Sequence, residues 1–540
     1  MKRTSVLLLI TSLLLSLICA ACGKAEGELS RPFLQGNDGS GDISRSVSDY
    51  AASERSETYD IWSDTEPGEW SGTGSVSDDG NTPPGSSGDS VLDALVRHVE
   101  GYLPVQPSRG VLNVAAAENS AGDYTAVQFS ADAETAADAV DIHAAKRLAA
   151  VEDVCGIRLN LILMPDDETV FDMAKASLLA AVNDYNIFVA DFCSMSQLSV
   201  FGGLGDFASD EDWNVIDPAD EWWADDAVLG LGFGGKHYLL SGEALISSRA
   251  NTHAVLFNRD LIYDETGEDP YTLYTEGDWT LESFERIARA VSESGGLGAA
   301  GTYQAFEAFM IGAEVHPILR DGDKRPVSAF ELSDAEFERL SDSIARIYGI
   351  MSADYSAFED DKSGHDAFYG GDTAFLVANL ADTDADALRA MSPSVGVLPL
   401  PKSDSDQESF FGAAVADCSQ AVGILPFEFE DMHASSVVLD ALAYYSYLTE
   451  GDVFADTFLS ARGMDDAQNR AALTDLLGSR ASDIASAYGQ IDGAHIYGEI
   501  SGELKENISA DLDAVLERVY ETVRAYSEAA KNDIEYGFFE

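Results

Sequence analysis

From Gly110 to Phe192 the chain alternates between two kinds of apolar pattern, and this alternation most narrows what it can fold into. "VLNVAAAE" reads as a strand, and "AADAVDIHAAKRLAAVEDV" follows as a helix that stops at Gly156. "IRLNLILMP" is the next strand. In "DETVFDMAKASLLAAVNDY" the residues Val170, Met173, Ala174, Ser177, Leu178 and Ala181 recur at helical spacing, and "NIFVADF" is a short buried-strand run. Strand, helix, strand, helix, strand argues for an α/β fold with a parallel sheet and crossover helices. At 540 residues the chain exceeds a single core, so two lobes are expected. Later helices are equally legible. "DSVLDALVRHVEG" puts Val91, Leu92, Leu95, Val96 and Val99 on one face. "SDAEFERLSDSIARIYGIM" opens with a Ser333 to Glu336 capping box and stripes Phe337, Leu340, Ile344, Ile347 and Tyr348. "ISADLDAVLERVYETVRAYSEAA" is a long amphipathic helix.

The amino end is a different kind of sequence. Lys2 and Arg3 precede an apolar run from Val6 to Ile18, too short to span a bilayer and laid out as a secretory signal over residues 1–21. "CAAC" (19–22) resembles the lipobox of bacterial lipoproteins. That resemblance implies that Cys22 becomes the lipidated, palmitate-carrying amino terminus on the extracytoplasmic face of the cell membrane, while Cys19 leaves with the signal. The C-x-x-C spacing taken alone is a redox template, but a redox pair needs a folded thioredoxin-like unit beside it. Residues 22–105, rich in Ser, Gly, Asp, Glu and Pro until about Asp89, read as a lipid-anchored disordered tether.

Asp and Glu number 95 against 32 Lys and Arg, a formal charge of -63. Such a surface repels polyanions, so nucleic acid is excluded as a partner and the membrane is reached only through the lipid. Cys155, Cys193 and Cys418 are an odd set that gives no disulfide framework, with Cys193 and Cys418 the candidates to pair. "GGLGAAG" places Gly296, Gly298 and Gly301 in the dinucleotide pattern G-x-G-x-x-G, but after a helix in mid-chain, which reads as a glycine-rich helix exit. "DEDWNVIDPADE" places Asp210, Asp212, Asn214 and Glu221 at EF-hand positions, yet Val215 stands where the turn needs Gly. The eight histidines show no zinc spacing, and neither a P-loop nor a nucleophile elbow is present. No catalytic residue, metal or cofactor is expected.

Four segments in order resemble the extracellular solute-binding proteins, family 1 and carbohydrate-type, that serve ABC importers: "DPADEWWADDAV" with "GKHYLLSGE", "HAVLFNRDLI", "DPYTLYTEGDWTLESFERIARAVS", and "FYGGDTAFLVANL" with "VGVLPLPK". The resemblance covers about residues 110 to 490. It implies a two-lobed periplasmic-binding-protein-like fold of type II, each lobe a sheet flanked by helices with a hinge between them. Lobe one would be 106–254 with 382–448, and lobe two 255–381 with 449–540. "GKHYLLSGE" to "AVLFNRDLI" would cross the hinge, "GDTAFLVANL" would return toward the first lobe, and "VGVLPLPK" would lie inside it. The implied partners are ABC permease subunits and a small ligand, a sugar or oligosaccharide, and the implied state is a monomer.

Open α/β sheets bind ligands at the carboxyl ends of their strands. That rule selects Glu118 and Asn119 after the first strand, Asp191 and Ser194 after "NIFVAD", Arg249 and Asn251 before the first crossing, and Tyr303 and Gln304 after the glycine run. Planar polar groups and an aromatic face suit sugar hydroxyls and ring faces, with ordinary loop or core packing as the competing reading for each. Trp222 and Trp223 are read as core. Two other functions stay open: a secreted glycan-active enzyme with two acids in a cleft, and a surface sensor or adhesion protein on the same fold.

Overall fold

The computed structural model describes the chain from Ser90 to Phe539, apart from 119–123, 131–133, 135, 224, 332–333, 360–362, 392–393, 450–452, 492–493 and 508–511. The signal segment, Cys22, most of the tether and the Ser333 cap lie outside the described residues. Eleven strands build two sheets: β1 (Val111–Ala117), β2 (Arg158–Met164), β3 (Ile187–Asp191), β4 (His253–Asn258), β5 (Leu297–Thr302), β6 (Ser356–Glu359), β7 (Thr373–Asn379), β8 (Val395–Leu398), β9 (Gly412–Ala413), β10 (Gln420–Ile424) and β11 (Arg480–Ala481).

The first sheet has the order β10-β3-β1-β2. β1 runs parallel to both β2 and β3, and β10 joins antiparallel with Gln420 opposite Asp191. The crossovers are the expected helices, α1 (Val91–Val99) standing before them and α2 (Ala139–Cys155) and α3 (Asp167–Ala180) between the strands. Asp138 caps α2 by accepting from Asp141 N, and Gly156 ends it at φ 68, a left-handed conformation that glycine takes without a Cβ clash. β1 is apolar on both faces because both are covered. Leu112, Val114 and Ala116 face a core shared with the helix Phe429–Thr449, while Ala115 and Ala117 face a second core. That second core continues through Phe188 and Phe192 to Phe257 and Phe375 of the second sheet.

The second sheet has the order β11-β9-β4-β7-β5-β6, with β8 also on β4. β4 shows the same two-faced burial, Val255 and Phe257 toward the shared core and Ala254 and Leu256 toward a third. Two expectations are corrected here. "VGVLPLPK" supplies β8, which pairs antiparallel with β4 instead of lying with the first sheet. A strand buried on both faces needs a hydrogen-bonding neighbour on each edge; β7 takes one edge of β4 and β8 the other. The chain re-enters the first sheet only at Gln420. "GGLGAAG" is a helix exit only at Gly295 and Gly296; from Leu297 it is strand, and β5 lies buried between β7 and β6. A Cβ on Gly298 would sit 2.4 Å from Ala288 O, so glycine lets the helix Leu281–Glu293 lie directly on the strand.

Other elements match their patterns. Thr280 caps Leu281–Glu293, with Ser283 bonding back. Leu340, Ile344, Ile347 and Tyr348 of the helix Asp334–Met351 are buried, whereas Phe337 is exposed against Phe330. α1 falls inside the span expected as tether, yet Leu95 and Val99 are fully buried among residues of the helix Phe429–Thr449. Among the described residues no helix is long and apolar enough to cross a membrane.

Candidate functional site

The strand ends of the two sheets meet at Asp417, on the segment that leads back into the first sheet. From the first sheet, β3 ends at Asp191, which caps the helix Phe192–Val200 by accepting from Ser194 N at 2.6 Å. The Asp191 amide in turn donates to Asp167 Oδ1 at 2.8 Å, at the start of α3. From the second sheet, β5 ends at Thr302, and Gln304 Nε2 donates to Asp417 Oδ1 at 2.9 Å. His495 Nε2 lies 3.7 Å from the other Asp417 oxygen. Glu307, 1 % exposed, accepts from Ala416 N at 2.9 Å and so fixes the same segment from below.

Burial and like charge govern the electrostatics. The Asp167 carboxyl is pushed up to about 6, by burial first and then by Asp166 and Asp417, against the opposing hydrogen bond from Asp191 N. Asp191 is raised well above the usual carboxylate range by burial, Asp167 and Asp417. Burial also raises Glu307 and brings His253, at the start of β4, down to about 4 against the pull of Asp417 and Asp382. The junction therefore sets two carboxyl groups of the first sheet, raised by burial and like charge, beside Asp417, the Gln304 amide and the His495 ring. Such an arrangement suits hydroxyl groups, which both donate and accept.

Of the sequence candidates, Asp191, Ser194 and Gln304 are brought to this junction. Glu118 ends β1, exposed, its amide on Met164 O at 2.7 Å, and Asn119 lies outside the described residues. Asn251, 1 % exposed, accepts from Asn379 Nδ2 at 3.0 Å and ties the start of β4 to the end of β7. Tyr303 is buried. Arg249 stands apart, ion-paired with Glu243 in another pocket. Trp223 is buried and Trp222 half-buried, and both indoles donate to Asp440. Asp167 was legible by the strand-end rule, since "MPDDE" directly follows β2. Asp417 and His495 were not, because neither directly follows a strand with a legible apolar run.

Cys193 and Cys418 are buried free thiols, as is Cys155. Burial pushes the Cys155 thiol up to about 12 and also raises the Cys193 and Cys418 thiols well above their ordinary value. In the EF-hand-like loop Asn214 Nδ2 donates to the carbonyls of Phe207 at 2.7 Å, Ile216 at 3.0 Å and Ser209 at 3.3 Å. The side-chain amide thus takes the central place among carbonyls that a cation would need. Among the described residues no group of three His, Cys, Asp or Glu is placed to hold a metal.

No protein-family model matches the chain, and no curated protein matches it in sequence. Solved structures do resemble it. The sugar-binding protein MalE from Xanthomonas citri superposes with a TM-score of 0.52 at 14 % identity, over 78 % of this chain and 98 % of that one. The galacto-N-biose-/lacto-N-biose I-binding protein of an ABC transporter from Bifidobacterium longum does so with a TM-score of 0.50 at 11 % identity, over 78 % and 98 %. At these identities the likeness establishes the fold: the described chain has the two-lobed α/β architecture of periplasmic binding proteins, each sheet flanked by helices.

Proposed function

We propose that the protein is an extracytoplasmic receptor that takes a small carbohydrate at the junction of its two sheets and delivers it to the permease subunits of an ABC importer. The observation that carries this reading is the meeting of Asp191 and Asp167 from one sheet with Gln304 from the other around Asp417. A ligand touching both sheets favours the closed arrangement of the lobes, and a partner can read that shift. No bond need be broken for this role. The solved structures of like fold are named for sugar binding, which supports the same ligand class. The receptor would act as a monomer, held at the membrane by lipid on Cys22.

Thermal unfolding of the full chain against mono- and oligosaccharides, peptides and metals tests the reading. A sugar at one hundred times its dissociation constant adds about 2.7 kcal/mol. A melting temperature moved by a peptide pool and by no sugar refutes the carbohydrate assignment, and hydrolysis of the bound sugar refutes the receptor role. Mass spectrometry of the native amino terminus tests the anchor: an unmodified Cys22 thiol or an intact signal segment excludes it.

A further inference from the structure

A second pocket, of about 250 Å³, lies away from the strand-end junction. One wall comes from the segment between Glu221 and Arg249; the other is the helix Ala467–Gly478 with Ala455. Its volume is just below the roughly 300–1,000 Å³ of pockets that hold drug-sized molecules, so it has room for one small ring.

The lining is unusual in what it buries. Arg480, 5 % exposed, donates through Nη1 to Ser248 Oγ and has Nη2 3.2 Å from Asp225 Oδ2. Its Nε is buried without an acceptor. Held by Ser248 and Asp225, the guanidinium is a fixed part of the pocket wall. Arg249 is paired with Glu243 in the same lining. Glu221 and Asp226 add two further carboxylates to the lining, so four acids face two guanidiniums, which repels an anion and supplies further acceptors for hydroxyl groups. What remains is a dense set of donors and acceptors. Beside it stands the Trp222 indole, whose Nε1 is fixed 2.8 Å from Asp440 Oδ1, leaving an immobile apolar face. An aromatic face beside alternating donors and acceptors matches a ring with hydroxyls on its edge and C–H groups on its face.

We propose that this pocket is a second binding site, for a single neutral polyhydroxylated ring such as one pyranose unit. The site stands on its own residues and does not rest on the reading of the strand-end junction. Because its two walls belong to different segments of the fold, an occupant would bridge them.

Ligand-observed saturation-transfer NMR on the full chain tests the assignment, with methyl glycosides of glucose, galactose and mannose, myo-inositol and acetate as probes. Thr474→Trp and Gly478→Leu fill the pocket from the helix side. A Cβ on Gly478 meets nothing within 4 Å, and neither change removes an ion-pair partner. The expected result is saturable binding of at least one neutral ring, weakened at least tenfold by each filling variant and less than twofold by Gln304→Ala. No binding of any neutral ring overturns the proposal. So does neutral-ring binding in the Gln304→Ala background that survives both fillings, or binding of acetate alone.

Discussion

Gln304, just past the end of a second-sheet strand, donates its side-chain amide to Asp417, on the segment that returns to the first sheet, across 2.9 Å. A hydrogen bond to a charged acceptor contributes about 1.5–3 kcal/mol. Gln304→Ala is expected to lower the unfolding free energy by about that amount, and to weaken binding of the carbohydrate proposed for the junction at least tenfold by calorimetry. Gln304→Glu, which sets a carboxylate against Asp417, should lose more of both. Equal affinity in all three proteins would remove Gln304 from the site.

How much of this was legible beforehand follows from local pattern against long-range pairing. The β1-to-β3 half of the first sheet was readable because each strand and helix carries its own periodicity, and Gly156 and Thr280 mark their helix ends directly. β8 was misplaced because its apolar run fits either sheet; the free edge of β4, invisible in sequence, decides it. The glycines of β5 read as a helix exit because glycine usually breaks strands, whereas here Gly298 admits a helix at backbone contact. At the site, Asp191 and Gln304 obey the strand-end rule. Asp417 does not, since it precedes an antiparallel strand and is brought in by a connection more than one hundred residues from Gln304.

The glycine argument gives a paired prediction. Gly298→Ala puts a Cβ 2.4 Å from Ala288 O and 2.9 Å from Ala288 Cβ, forcing the helix off the strand, and should cost about 1–3 kcal/mol. Gly349→Ala meets nothing within 4 Å and lies inside the helix Asp334–Met351, where it should gain about 0.4–1 kcal/mol. Urea midpoints moving in opposite directions are the expected signature.

Asp167 sets a pH dependence with a definite sign. Its folded-state carboxyl, at about 6, lies above the ordinary value of 3.8, so the folded protein binds the extra proton between these limits and this group favours folding less as pH rises through them. Two units correspond to about 3 kcal/mol, reduced to about 1–2 by solvent at a partly exposed group. Asp167→Asn keeps an acceptor for Asp191 N. The variant should therefore be more stable than the parent at pH 7.5, by about 1–2 kcal/mol, with the gap closing below pH 4. A constant gap across that range, in denaturant melts, would assign the effect to packing instead.

Asp440, 3 % exposed, holds three donors: His98 Nε2 at 2.7 Å, Trp222 Nε1 at 2.8 Å and Trp223 Nε1 at 3.0 Å. It thereby fixes α1 and the tryptophan pair to the helix Phe429–Thr449. Asp440→Ala leaves all three without that acceptor and should cost about 3–5 kcal/mol, with a red shift of tryptophan emission. His98→Phe keeps both indole bonds and can keep the ring stacked on Tyr444, 3.9 Å away in the parent, so it should cost about 1 kcal/mol.

At the carboxyl end Phe538 is buried among Tyr238, Phe233 and Tyr488, with ring centroids 5.2, 5.5 and 5.9 Å away. Tyr488 completes the cluster by donating to Leu231 O at 2.7 Å. Removing the Phe538 ring deletes the apolar contact of three aromatics at once, so Phe538→Ala should cost about 3–5 kcal/mol. The neighbouring Arg325 guanidinium over Phe539, 4.1 Å from its centroid, is an exposed cation–π contact, and Arg325→Ala should cost about 0.5–1 kcal/mol. Limited proteolysis separates a local from a global effect. If Phe538 only seals the end of the chain, cleavage will be confined to the last turns. If it holds the 231–238 segment in place, the same variant will also be cut near Gly234 and Gly235, which occupy left-handed turns at φ 59 and 79. The second outcome is expected, because the ring contacts Phe233 and Tyr238 on both sides of that turn.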